Sequence, residues 1–167
     1  MTDRSEFEKL FKEQYTVLCR YASLLIDDRE AAEDIVQDQF AYLWENRHKL
    51  KVNSYEAYLF RAVKNKAINY TKNLRNKNKH EISQLSQNLE VTERTEQEVE
   101  LKELQDLIQK ALETLPERCY TVFYLKRFEE LSYKKIAVKL SISEKTVENQ
   151  MNIAIRKISG FLKKYRS

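Results

Sequence analysis

Apolar residues recur every three or four positions along most of this chain, which is the spacing of helices with one buried face. The pattern predicts helices at 7–26, 29–47, 55–79, 101–115 and 117–128, and a further pair between 132 and 162. The sequence has one Gly and one Pro, and so few helix-breaking residues leave little room for hairpins or glycine-rich phosphate loops. An all-α fold is therefore predicted.

The stretch 80–100 interrupts the helical pattern. It is rich in Ser, Thr, Gln and Glu with isolated aliphatic residues, a composition typical of a flexible polar linker, whose C-terminal end is compatible with helix. The chain of 167 residues is long enough for two small domains. We therefore expect a helical N-terminal domain over 1–79 and a helical C-terminal domain over 101–167, each with its own core.

The last pair of predicted helices has the features of a helix-turn-helix motif. Ser132 can cap a short first helix, the segment 141–143 (Ser-Ile-Ser) makes a tight turn, and Ser143 can cap a longer second helix. At about 100° per residue, the second helix separates an apolar from a polar face. The apolar face carries Val147, Met151, Ala154, Ile155, Ile158 and Leu162.

The polar face of this second helix carries Lys145, Asn149, Asn152 and Arg156. Asn suits adenine edges, Arg suits guanine edges and Lys suits phosphate groups. Such a face is often only solvated, but Asn is a mediocre helix former. Its repeated use here favours contact with DNA.

The helix predicted at 29–47 has an acidic stripe opposite its apolar face, formed by Asp34, Gln37, Asp38, Ala41 and Glu45. Trp44 flanks this stripe, and Trp is enriched at protein interfaces, although a place in the core fits the spacing equally well. The periodicity alone leaves open whether the stripe is a partner surface or solvated surface.

The helix predicted at 55–79 has a basic face, formed by Arg61, Lys64, Asn65, Ile68, Lys72 and Arg75. No Asp or Glu occurs between Ala57 and His80, whereas a merely solvated Lys/Arg face usually has Glu interspersed. Basic side chains beside aromatic residues suit backbone contacts and base stacking on single-stranded nucleic acid. The formal net charge is only +4, because acidic and basic residues segregate by segment.

No catalytic or metal-binding motif is visible in the sequence. Cys19 and Cys119 lie far apart, neither histidine has a ligand partner at a useful spacing, and motifs such as GxSxG and HExxH are absent. We therefore expect no enzyme activity, no metal and no cofactor. The N-terminus is charged and no run approaches about 18 apolar residues, so we expect a cytoplasmic protein that does not insert into a membrane.

Three segments together carry a family resemblance. Residues 28–44 (DREAAEDIVQDQFAYLW) resemble the polymerase-binding segment of bacterial sigma factors, 58–70 (YLFRAVKNKAINY) resemble their −10-reading helix, and 115–158 resemble their −35-reading domain. The order and spacing of the three segments match as well. The short build, with two domains and a tether, resembles the extracytoplasmic-function (ECF) group.

The resemblance implies a subunit that binds core RNA polymerase, directs it to promoter DNA and opens the duplex, under the control of an anti-sigma factor. By similarity, the polymerase's largest subunit would be contacted by Asp34, Gln37, Asp38 and Glu45. The −10 element would be contacted by Arg61, Lys64, Asn65 and Lys72, with Asn65 accepting a flipped base. The −35 major groove would face Lys145, Thr146, Asn149, Asn152 and Arg156.

Two positions depart from the family pattern. Ser141 stands where the turn often has Gly, and Asn149-Gln150 replaces a common Ser-Arg pair, so the promoter sequence does not carry over. The alternatives are a conventional helix-turn-helix regulator with an N-terminal effector domain, and a helical enzyme. An effector domain would more commonly show a ligand pocket and a dimer seam than an acidic stripe beside an acid-poor basic helix.

Overall fold

The computed structural model describes residues 3–84 and 93–166, and its regular structure within these ranges is entirely helical. The helices are α1 (Arg4–Ser23), α2 (Arg29–Asn46), α3 (Tyr55–Gln84), α4 (Glu96–Glu113), α5 (Glu117–Arg127), α6 (Tyr133–Leu140) and α7 (Glu144–Arg166). The predicted all-α class is confirmed. Among the described helices, none is both long enough and apolar enough to cross a membrane.

Helices enter the stretch predicted as linker from both sides, and the helix at its C-terminal end agrees with the expectation. α3 continues to Gln84, and α4 begins at Glu96. The start of α4 is fixed by a capping box, in which the Thr95 hydroxyl accepts from the Glu98 amide and the Glu98 carboxylate accepts from the Thr95 amide. These turns are polar, so hydrophobic periodicity did not reveal them. Residues 85–92 of the predicted linker lie outside the described residues.

α1, α2 and α3 pack together in the N-terminal half. Between α1 and α2 the contacts are aromatic: the ring centroids of Phe7 and Trp44 lie 4.9 Å apart, as do those of Phe11 and Phe40. Trp44 is half-buried in this cluster, and the guanidinium of Arg47 lies 3.8 Å from its ring centroid. Of the two interpretations of Trp44, the structure favours the packing role.

α5, α6 and α7 form the helix-turn-helix unit around Leu125, Ile136, Val147 and Met151, all buried. The predicted caps are present: the Ser132 hydroxyl accepts from the Lys135 amide, and the Ser143 hydroxyl accepts from the Thr146 amide. Ile155, expected on the apolar face of α7, is 42% exposed. That expectation was wrong because Ile155 lies at the edge of the face, about 100° around the helix from the buried Ala154.

The cores of the two halves are continuous, so the expectation of separate cores was wrong. Tyr21 of α1 is fully buried, with its ring centroid 4.9 Å from that of Phe60, 4.6 Å from that of Tyr120 and 5.2 Å from that of Tyr124. The Tyr120 hydroxyl donates to the Tyr21 carbonyl at 2.9 Å. Periodicity identifies the buried face of each helix but does not identify the helix that covers it.

The turn of the helix-turn-helix is closed by Ser141 in the left-handed conformation, with φ 54° and ψ 47°. The Ile142 amide donates to the Ala137 carbonyl and the Ser141 amide to that of Val138, the bonding pattern of a Schellman motif. A residue with a Cβ atom is strained in this conformation by about 1–2 kcal/mol. The turn is thus formed without glycine, and the strain at Ser141 lowers the free energy of unfolding.

Ser141→Gly is therefore expected to raise the free energy of unfolding by about 0.5–1 kcal/mol, because the relief of φ strain exceeds the loss of the exposed hydrogen bond from the Ser141 hydroxyl to the Asn53 carbonyl. Urea denaturation of purified protein measures this change. Ser132→Gly is the matched control: Ser132 is extended, with φ −68°, and should lose a few tenths of a kcal/mol with its cap. Equal effects of the two substitutions would mean that φ strain at Ser141 is not significant.

Candidate functional site

The predicted acidic stripe forms an exposed face of α2. Asp34, Gln37, Asp38 and Glu45 are all exposed, while Val36, Phe40 and Leu43 on the opposite side are buried. The Gln37 amide donates to the Tyr15 hydroxyl at 3.1 Å, which holds that side chain against α1. The structure thus brings the four predicted residues together on one accessible surface, the α2 acidic face.

The predicted basic face of α3 is divided in the structure. Asn65 and Lys72 are exposed. Arg61 is also largely exposed, but its Nε lies 3.0 Å from Oε2 of Glu117 on α5. Lys64, predicted on the same open basic face, is only 4% exposed. It is covered because α5 packs against this edge of the helix, which periodicity within α3 does not show, and its contact with DNA stays a prediction.

Lys64 is held at the junction between α4 and α5. Its Nζ donates to the Leu115 carbonyl and lies 5.1 Å from the centroid of the Tyr120 ring. Burial lowers the pKa of Lys64, because the charged amine loses hydration, while the carboxylates of Glu117 and Glu113 act in the opposite direction. The amine therefore has acceptors but is less stable as a cation than it would be in water.

A further ion pair joins α3 to the same junction. Arg75 Nη1 lies 3.0 Å from Oε2 of Glu113, and a second bond joins Nη2 to Oε1 of the same carboxylate. The sequence placed Arg75 on the basic face but indicated no role for Glu113 or Glu117. Both acids lie more than thirty-five positions along the chain from their arginine partners, so no local sequence pattern indicated these pairs.

The polar face of α7 remains accessible. Lys145, Asn149, Asn152 and Arg156 are exposed. Two of their contacts stay within the helix: Lys145 pairs with Glu148 at 3.5 Å, and Arg156 donates to the Asn152 carbonyl. Thr146 is half-buried, with its hydroxyl 2.8 Å from that of Ser143. Thr146 thus belongs to the cap more than to the open face.

Gln150 points away from this face. Its Oε1 accepts from the Cys119 thiol at 2.8 Å, at the contact between α5 and α7. Of the Asn149-Gln150 pair, only Asn149 is therefore presented outward. Burial raises the pKa of the Cys119 thiol, which keeps it protonated as the donor in this bond.

Two family models match this chain. The Sigma-70 region 2 model matches residues 10–77, which include the α2 acidic face and the basic face of α3. The model of Sigma-70, region 4, matches residues 105–158, which include the helix-turn-helix. The region 2 match occupies the part of the chain that the alternative interpretation assigned to an effector domain.

Individual relatives span nearly the whole chain. The ECF RNA polymerase sigma factor SigL of Mycobacterium tuberculosis is 28% identical over 149 residues, covering 88% of this chain and 83% of SigL. The structure of CnrH in complex with the cytosolic domain of CnrY has a TM-score of 0.51 and 22% identity, covering 97% of this chain and 90% of CnrH. RpoE from Bartonella quintana, in complex with the anti-sigma factor NepR, has a TM-score of 0.46 and 20% identity, and the match covers 95% of this chain and 97% of that one.

The CnrH likeness is one of fold, whereas the region 2 and region 4 matches and SigL bear on the family. They confirm the resemblance seen in the three sequence segments. This chain belongs to the sigma-70 family of transcription initiation factors, in its ECF group.

Proposed function

We propose that the chain binds core RNA polymerase through the α2 acidic face and reads promoter DNA with α3 and α7. The observation that carries this assignment is the order of three surfaces along the chain: an exposed acidic face on α2, a helix α3 with no Asp or Glu between Ala57 and His80, and a capped helix-turn-helix with a polar outer face. Each surface lies within the family match expected for it. The proposal assigns core polymerase to the α2 acidic face, an unpaired DNA strand to α3 and duplex DNA to α7.

The α2 acidic face suits a basic protein partner. Its three carboxylates, Asp34, Asp38 and Glu45, are exposed, and complementary charge increases both the rate and the specificity of protein association. Gln37 is held in place by Tyr15, so the surface is partly ordered before binding. This order reduces the entropy lost on association.

The exposed part of the α3 basic face suits an unpaired strand. Asn65 presents an amide that can pair with a base edge, and Lys72 follows it on the same side as a phosphate contact. Extracting a base from the duplex costs a few kcal/mol. We infer that polymerase contacts supply the additional binding that makes this step favourable.

The polar face of α7 suits the major groove. Asn149 and Arg156 carry side chains that form bidentate bonds to adenine and guanine respectively, while Lys145 suits phosphate. The α7 N-terminus is fixed by the Ser143 cap, which orients the first turn on which Lys145 lies. Base reading is therefore assigned to Asn149, Asn152 and Arg156.

The remaining parts of the proposal follow from this role. An initiation factor positions DNA on the polymerase and performs no chemistry of its own, so we infer that the chain is not an enzyme. It acts in the cytoplasm, where bacterial polymerase and DNA are found. As for its regulator, an anti-sigma factor is proposed as a protein partner, and α4 offers it exposed apolar side chains at Leu101, Leu104 and Ile108.

Asp34→Lys with Asp38→Lys should weaken binding to core polymerase about 100-fold, or about 2.7 kcal/mol, because attraction becomes repulsion. Fluorescence anisotropy of labelled protein, titrated with core enzyme without DNA, measures the affinity. Glu103→Lys with Asp106→Lys on α4 is the control, since it changes the net charge equally at exposed positions. Unchanged affinity in the α2 variant, at normal helix content, would contradict the assignment.

Asn65→Ala should impair promoter opening more than initial binding, because the flipped base loses its partner only after the strands separate. Permanganate reactivity measures opening, and a mobility shift at low temperature measures binding, on a promoter selected with the loaded polymerase. Asn73→Ala, an exposed α3 position away from this face, controls for helix effects. Equal losses in promoter binding and in promoter opening would contradict the proposal that Asn65 accepts a flipped base.

Asn149→Ala and Arg156→Ala should each change the preferred −35 sequence, with a loss of about 1–3 kcal/mol for the base that is read. Selection from a randomised −35 library by polymerase holoenzyme identifies the changed position. Lys145→Ala is the comparison, because the loss of a phosphate contact lowers the affinity for all sequences alike and reduces its salt dependence. If all three variants lost affinity equally for every sequence, α7 would contact only the DNA backbone and not the bases.

A further inference from the structure

One polar side chain of α7 turns inward, to the contact with α5. Gln150 is half-buried, and its Oε1 accepts from the thiol of Cys119 at 2.8 Å. Cys119 itself is only 2% exposed. Asn149, the preceding residue, is exposed on the polar face that is proposed to read bases. A bond inside the protein is therefore attached to the backbone next to a base-reading side chain.

Around Gln150, the inner face of α7 is apolar. Val147, Met151 and Ala154 are buried, and apolar burial is favourable in proportion to the area covered, without a preferred direction. A hydrogen bond, by contrast, weakens steeply when its distance or angle departs from a narrow range. The bond between Gln150 and Cys119 thus opposes rotation of α7 about its own axis, which the apolar contacts resist less sharply.

A small rotation of α7 is enough to matter for base recognition. The ends of side chains lie about 5–6 Å from the axis of an α-helix, so a rotation of about 10° moves them by about 1 Å. The donor–acceptor distances of hydrogen bonds span only about 0.5 Å, from about 2.7 to about 3.2 Å. A rotation of this size therefore breaks a bond between a side-chain amide and a base edge, even when the fold is intact.

Asn149 is more sensitive to such a rotation than Arg156. The two residues lie on the same exposed face, about two helical turns apart. Asparagine has a short side chain with few rotatable bonds, whereas the long side chain of arginine has many rotamers with which to follow a displaced partner. Asn149 also adjoins Gln150 in the chain. An effect of the bond on base recognition is therefore expected mainly at the base that Asn149 reads.

We propose that Gln150 is a positioning residue for −35 recognition: its bond to Cys119 fixes the rotation of α7 and thereby determines how strictly Asn149 selects its base. This inference rests on the proposed role of the polar face of α7. Gln150 acts through Asn149 and makes no contact with DNA of its own.

Cys119→Ala and Cys119→Ser test this inference in the polymerase holoenzyme, with a randomised −35 library. Cys119 is buried on α5, so its substitution affects the DNA only through α7. Serine retains a donor for the amide oxygen of Gln150, and alanine does not. We expect Cys119→Ala to lower the preference for the base read by Asn149 about fivefold, with a smaller change at the base read by Arg156. Cys119→Ser should keep a preference close to that of the wild type.

A purely structural role of the bond predicts a different result. A less stable domain has a smaller folded fraction, which lowers the affinity for every sequence alike and leaves the ratio between sequences unchanged. Met151→Leu is the matched control, because it disturbs the packing of α7 at similar volume and keeps the bond; urea denaturation measures the stability of each variant. Met151→Leu should retain the wild-type preference. A wild-type preference in Cys119→Ala, or an equal loss of preference in Met151→Leu, would overturn the inference.

Gln150→Leu is the second variant, in case Cys119→Ala does not fold, as judged by circular dichroism. Leucine removes the acceptor, whereas Gln150→Glu is the control because a carboxylate also accepts from the thiol. We expect Gln150→Leu to relax the preference at the base read by Asn149, and Gln150→Glu to keep that preference while lowering the affinity for all sequences alike. A change at a different base in Gln150→Leu would mean that Gln150 itself contacts DNA, and would overturn its positioning role.

Asn149→Ala in the same library separates this inference from the proposed function. The position at which Asn149→Ala changes the preference identifies the base that Asn149 reads. If this variant changes the preference and Cys119→Ala does not, the positioning role of Gln150 fails while base reading by α7 stands. If Asn149→Ala leaves the preference unchanged, base reading by Asn149 is wrong and the positioning role is wrong with it.

Discussion

The arrangement of the molecule depends on the burial of Tyr21 between the two halves. Its ring contacts those of Tyr120 and Tyr124, and its hydroxyl bonds to that of Thr121. Aromatic contacts of this kind contribute about 0.5–1.5 kcal/mol each beyond the area that they bury. Because the hydroxyls of Tyr21 and Tyr120 have partners, the rings are buried without unsatisfied polar groups, although burial raises the pKa of both. This contact brings the α4–α5 junction onto α3.

The consequence for α3 is that its basic residues have two possible sets of partners. Arg61 and Arg75 are paired with carboxylates, and Lys64 with a carbonyl. The planar guanidinium of arginine binds carboxylate and phosphate oxygens in the same way, so either arginine could pair with phosphate in place of its carboxylate. The surfaces proposed for polymerase and for the −35 groove do not take part in these contacts.

Local features of the sequence predicted local features of the structure. The caps at Ser132 and Ser143 and the exposed stripe of Asp34, Asp38 and Glu45 follow from residue type and helical spacing, and all are present. The burial of Lys64 was not predictable, because it depends on a carbonyl more than fifty positions away along the chain. Helix at the end of the linker was expected, but hydrophobic spacing did not give its start at Glu96, because the first turn of α4 is polar. Residue roles at the interfaces remain predictions.

The α4–α5 junction and the basic edge of α3 belong to one polypeptide, and their encounter is therefore unimolecular. The effective concentration of such tethered partners is set by the connecting chain and reaches the millimolar range for short connections. Diluting the protein does not loosen a contact of this kind, and raising its concentration does not strengthen it. The strength of this contact thus depends on salt and on charge, but not on how much of the protein a cell makes.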